Sequence, residues 1–121
     1  MRRLDGAAKV DIGGGRFADF SRSVKLRNAD MTGDTFTAEV RLYPNAPGTP
    51  VAAMTVSAPV LSGSDTVMTL SLARAVMEAM PQGPEADSDA VLYWDFKRTV
   101  GGITSVLFYG EFVVHAGVTR T

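Results

Sequence analysis

Val91–Arg98 reads VLYWDFKR, with a tyrosine, a tryptophan and a phenylalanine around one aspartate. Aromatics exposed on a strand stack against sugars or bases, whereas aromatics that alternate with polar residues build a core. Leu92, Trp94 and Phe96 share one face, and Tyr93, Asp95 and Lys97 share the other. That period of two turns Trp94 inward and makes the stretch a half-buried strand. The following TVGG is turn chemistry, so the chain from about Ala90 to about Val114 reads as a β-hairpin. Gly110 interrupts the return strand and marks a bulge or a close cross-strand approach.

The same grammar recurs upstream. FSRSVKLRN, from Phe20, alternates Val24 and Leu26 with Ser23, Lys25 and Arg27. After the turn residues ADMTGD, TFTAEVRLY sets Phe36, Ala38, Val40 and Leu42 against Thr37, Glu39 and Arg41, the cleanest alternation in the chain. PNAPGTP has too many prolines to join a ladder and is a loop. VAAMTVSAPV follows as a weaker strand that Pro59 ends or places at an edge. DTVMTLSL places Met68, Leu70 and Leu72 on one face. It runs into ARAVMEAMP, whose helix formers predict one or two helical turns with Val76, Met77 and Met80 on one face and Pro81 as the stop. The stretch through Gly15 has no period of either kind and is expected to be a flexible arm over residues 1–15, ahead of a sandwich domain over 16–121.

Bulk properties narrow the function classes. A chain of 121 residues is one domain by length, and 45% hydrophobic with 21% charged residues is the composition of a folded globular protein. With 12 Lys+Arg against 13 Asp+Glu, there is no net field to hold nucleic acid or an anionic membrane. No apolar run approaches a membrane span, and the first residues lack the apolar stretch of a secretory signal, so a product made in the cytoplasm is expected. The absence of cysteine removes disulfides, thiolate nucleophiles and cysteine metal sites together.

Candidate chemistry is sparse. DIGGGR lacks the Walker spacing and the flanking strand and helix of a phosphate loop, and reads as a flexible lead-in. Glu85, Asp87 and Asp89 alternate in PEADSDA without the glycine and distal glutamate of a calcium loop, and read as a solvated loop. His115, the single histidine, has no second histidine or cysteine with which to share zinc and is assigned a structural or exposed role. No nucleophile elbow or triad signature is present, so no catalytic, cofactor or metal residue is assigned.

Three segments in order carry a resemblance: FSRSVKLRNADMTGDTFTAEVR, then MTLSLARAVMEAMP, then VLYWDFKRTVGG with LFYGEFVVHAGVTR. This order resembles the immunoglobulin-like domain of tailed-bacteriophage structural proteins, of the kind at the N-terminus of baseplate upper proteins and related tail or fibre proteins. The matching positions are the turn Asp30, Met31, Thr32 and Gly33, then Arg41, the strand-to-helix run Leu70 to Met80, and Trp94 before Asp95. Gly110, Val113, Val114 and the closing Val118, Thr119 and Arg120 complete the pattern.

The resemblance implies an all-β, immunoglobulin-like antiparallel sandwich of about seven strands with one short helix. Phe36, Val40, Leu70, Leu72, Trp94 and Phe96 are its expected core anchors. It also implies a non-enzymatic structural or adaptor subunit of the virion, assembled in the host cytoplasm and docking other virion proteins, including copies of itself, at the tail, baseplate or neck. The alternatives are a capsid decoration protein of the phage head, and a carbohydrate-binding module presenting Tyr93 and Tyr109. Attachment is expected through the arm, with Arg2, Arg3, Leu4 and Ile12, and through an edge strand beginning near Phe17.

Overall fold

The structure, a computed structural model, describes residues 8–44, 47–81 and 88–116. Among these residues the strands are β1 (Ala8–Lys9), β2 (Ile12–Gly15), β3 (Phe20–Leu26), β4 (Thr35–Arg41), β5 (Ala52–Ala53), β6 (Thr55–Val56), β7 (Val60–Ser62), β8 (Asp65–Leu72), β9 (Ala90–Val100) and β10 (Ile103–His115). One helix, α1 (Arg74–Glu78), follows β8. The larger sheet runs β10-β9-β4-β5, with β1 and β2 both pairing with the free side of β10; the second sheet runs β3-β8-β6, with β7 also on β8. Lettered by position, the sheets are G-F-C-C′ and B-E-D, the two layers of an immunoglobulin-like sandwich.

Each long strand buries the face that its alternation marks. Phe20, Val24 and Leu26 of β3, with Met68, Leu70 and Leu72 of β8, meet Phe36, Ala38 and Val40 of β4, Leu92, Trp94 and Phe96 of β9, and Phe112 and Val114 of β10. Rings interlock across and within the layers. Phe20 meets Phe112 edge-on at 5.1 Å, and Phe36 stacks on Phe96 at 5.4 Å. The six expected anchors all lie in this core. The hairpin turn falls at Gly101 and Gly102, whose φ of 58° and 82° are left-handed values that glycine adopts at no steric cost.

Three expectations need correction. Residues 8–15 are not an irregular arm. β1 and β2 pair in parallel with β10 in one register, Ala8 opposite Phe108 and Ile12 opposite Phe112. Gly13 of DIGGGR is there for closeness: a Cβ on it would stand 2.2 Å from the Val113 carbonyl oxygen. Gly110 serves the same strand from the other side, because a Cβ there would stand 2.1 Å from the Val10 carbonyl oxygen. That carbonyl accepts a 2.8 Å hydrogen bond from the Trp94 indole, so the core tryptophan fastens the N-terminal strand.

VAAMTVSAPV, secondly, is not one strand. β5 pairs with β4 in the larger sheet and β6 with β8 in the smaller one, and the chain changes sheets at the buried Met54, whose N–H donates to the Ala38 carbonyl. Thirdly, two residues leave the core faces assigned to them. β4 stops at Arg41, leaving Leu42 53% exposed, and Val76 faces outward from α1 while Met77 and Met80 are buried.

Candidate functional site

The parity that buries Trp94 sends Tyr93 and Asp95 to the outer face of the larger sheet, and register aligns residues there in rows. Arg41 lies opposite Tyr93 and Tyr93 opposite Glu111; Glu39 lies opposite Asp95, Asp95 opposite Tyr109, and Tyr109 opposite Lys9. Over these rows opens a groove of about 380 Å³. All three tyrosines of the chain, Tyr43, Tyr93 and Tyr109, line it, together with Lys9, Arg41, Asp95 and Glu111.

Its charges are largely held in place. The Arg41 guanidinium donates to Glu39 Oε1 at 2.7 Å and to the Gly48 carbonyl at 3.0 Å. Lys9 Nζ donates to both Asp11 oxygens at 3.1 Å. Asp95 is the exception. Its Oδ2 is 3.8 Å from Lys97 Nζ, while Oδ1 is shut off from solvent and has no hydrogen-bond partner. Burial pushes the Asp95 carboxyl above the usual carboxylate range, and Lys97 draws it part of the way back.

A second surface lies at the edge of the smaller sheet. Among the described residues β3 pairs with β8 alone, so one side of its 7 residues is open. The direction of its free groups follows from β8. Ser57 donates its N–H to the Thr69 carbonyl at 2.9 Å and accepts from the Thr69 N–H on its hydroxyl at 2.8 Å, so both Thr69 backbone groups face away from β3. Ser23, which lies opposite Thr69, therefore points its own N–H and C=O to the open edge. Alternation gives Ser21 and Lys25 the same direction.

Of the expected interface residues, Ile12 and Phe17 lie among the described residues. Ile12 is 6% exposed and packs in the core, because its parity in β2 matches that of Phe112, so it is unavailable to a partner. Phe17 lies in the turn after β2 and starts no edge strand; the strand begins at Phe20. Arg2, Arg3 and Leu4 lie outside the described residues, as do Glu85, Asp87, Val118, Thr119 and Arg120. His115 is exposed and its Nδ1 lies 3.3 Å from Asp89 Oδ2, while the Ala116 N–H donates to Asp89 Oδ1. These contacts, the backbone donor first, lower the Asp89 pKa. Among the described residues, no three His, Asp or Glu side chains gather as metal ligands.

Sequence reasoning missed Arg16. It is 4% exposed, and its guanidinium donates to the Met80 and Pro81 carbonyls at 2.7 and 2.8 Å and to the Glu78 carbonyl at 3.4 Å. The Glu78 carbonyl is one that the end of α1 leaves without a partner, and the other two follow it in the chain. Nothing in DIGGGR signals a partner more than sixty residues away.

No family model matches the chain, and no curated protein matches it. Among solved structures it is similar to the crystal structure of the periplasmic chaperone SfaE, with 17% sequence identity and a TM-score of 0.41 over 96% of this chain. The match spans 58% of the length of that chain.

Proposed function

We propose that this protein is a non-enzymatic structural or adaptor subunit of a tailed-bacteriophage particle, docking other virion proteins at the tail, baseplate or neck. The phage setting rests on the ordered resemblance from Phe20 to Arg120. The docking role rests on the open edge of β3, where the backbone groups of Ser21, Ser23 and Lys25 face outward without partners among the described residues. An edge of this kind takes an added strand from a partner through main-chain hydrogen bonds. Exposed Val60 and Leu61 of β7, at the other side of the same sheet, add apolar surface.

Ser23→Pro tests the docking role. Proline removes one outward N–H and no bond to β8, the position at which an edge strand tolerates it. The sandwich should keep its melting temperature within a few degrees, while incorporation into particles, measured by quantitative mass spectrometry of purified virions, should fall. Incorporation equal to that of the parent chain would move the interface off β3. Absence of the parent protein from purified particles would end the virion reading altogether.

A further inference from the structure

We propose that the groove on the outer face of the larger sheet is a binding site for a neutral sugar ring, a role separate from docking through β3. The groove gathers every tyrosine of the chain, and Tyr43 and Tyr109 remain 54% and 40% exposed there. These two exposed rings and the half-buried Tyr93 on one concave surface offer flat apolar faces, each with a hydroxyl at its rim.

The charges select the ligand. Lys9 and Arg41 are already held by carboxylates, at 3.1 Å from Asp11 and 2.7 Å from Glu39, and with Asp95, Glu111 and the Lys97 beside Asp95 the face carries three cations against four carboxylates. A phosphate therefore finds no positive field in the groove, and a polycation finds an excess of only one negative charge. A pyranose fits the set: its C–H face covers an aromatic ring, and its hydroxyls donate to carboxylates and accept from cations. Asp95 supplies the vacant acceptor. Its side chain is 20% exposed at the floor, its Oδ1 is buried without a donor, and its Oδ2 is 3.8 Å from Lys97 Nζ, beyond hydrogen-bond distance. A ligand hydroxyl would satisfy a carboxylate that the protein leaves short of partners. The volume of about 380 Å³ lies at the small end of the roughly 300–1,000 Å³ range of ligand pockets, which suits one ring or two and excludes a long buried chain.

The test is a glycan array bearing neutral and acidic glycans, probed with the full chain. Titration with methyl glycosides of glucose, galactose, mannose and N-acetylglucosamine then follows, monitored by amide chemical shifts. Saturable shifts centred on Tyr93, Asp95 and Tyr109 are expected. Tyr109→Ala should weaken binding about tenfold, the effect of losing one stacking contact, and Asp95→Asn should weaken it without changing the fold. Particle incorporation should be unaffected by Tyr109→Ala and lowered by Ser23→Pro, so the two surfaces fail independently. Array silence with no shifts at the three positions, or binding confined to acidic glycans, would overturn the assignment. So would loss of incorporation by Tyr109→Ala with no sugar bound, which would make the groove a protein interface.

Discussion

β10 is held on its two sides by opposite means. On one side β9 lies antiparallel and presents large side chains, with Leu92, Trp94 and Phe96 buried. On the other, β1 and β2 run parallel, and Gly13 of β2 contributes the absence of a side chain. The first strand is held by apolar burial. The second is held by backbone proximity and by two side-chain bonds, Trp94 to the Val10 carbonyl and Asp11 to the Glu111 N–H. A strand can thus be integral to a sandwich with almost no hydrophobic signal of its own.

Trp94 belongs to both sides, so replacing it should give the largest effect. Trp94→Ala removes a core ring and the donor to Val10 together, and should cost about 3–5 kcal/mol in chemical denaturation. Trp94→Phe separates the terms. It keeps most of the apolar volume and loses the N–H, so a cost of about 0.5–1.5 kcal/mol is expected if the bond to Val10 contributes as an ordinary hydrogen bond. If Trp94→Phe costs as much as Trp94→Ala, the indole's bond to the N-terminal strand outweighs its packing, and the contrast between the flanking strands collapses.

The next effect tests the glycine side alone. Gly13→Ala places a methyl group against the Val113 carbonyl, which is backbone and cannot swing aside. A loss of about 1–3 kcal/mol is expected, the usual cost of overpacking. Gly15→Ala is the control, because a Cβ there meets nothing within 4 Å. Equal melting temperatures for the two variants would show that β2 does not approach β10 as closely as the register requires.

This contrast also explains which parts of the fold were legible. Period-two reading scores side chains, so it located β3, β4, β8 and the β9–β10 hairpin, where one face is apolar and the other polar. It is blind to Ile12–Gly15, which has one large side chain in four residues, and a parallel pairing leaves no turn between partners to betray it. The sheet change at Met54 was hidden for a related reason: two strands of two residues each are too short to repeat a period of two. At the groove, the outward direction of Tyr93 follows from that of Trp94. Tyr43 and Lys9 join the groove only through the path of a loop and an unrecognised strand. The isolation of Asp95 Oδ1 is a property of packing that no local pattern encodes.

Each flanking strand carries one acid whose titration should move stability in the opposite sense. On β9, burial raises the Asp95 carboxyl above its ordinary value of 3.8. The folded state therefore resists ionising it, and at neutral pH the carboxylate works against folding. Asp95→Asn should raise the melting temperature at pH 7. As pH falls through the raised value toward 3.8, the parent protein protonates, its penalty disappears, and the two curves should close. A variant less stable than the parent at pH 7 would mean that the pairing with Lys97 outweighs the desolvation.

On the other strand, the smallest effect expected is at Asp11, which is exposed but replaces a piece of missing ladder. The Val10 carbonyl turns inward to Trp94, and Asp11 Oδ1 accepts the Glu111 N–H at 2.9 Å. That backbone donor first, and Lys9 second, lower the Asp11 carboxyl below its ordinary value of 3.8. The contribution is therefore complete above the ordinary value and is lost as pH falls through the depressed one. Asp11→Ala should lower the melting temperature at pH 7 by less than Gly13→Ala does, and should speed hydrogen exchange at the Glu111 amide, which loses its acceptor. Asp11→Asn keeps a carbonyl oxygen for that amide without the charge and should fall between the two, with its difference from the parent shrinking below pH 3.8. An unchanged Glu111 exchange rate in Asp11→Ala would mean that the N-terminal strand is held at this point without the side chain. Trp94, the buried Ile12 and the parallel ladder to β10 would then account for its attachment.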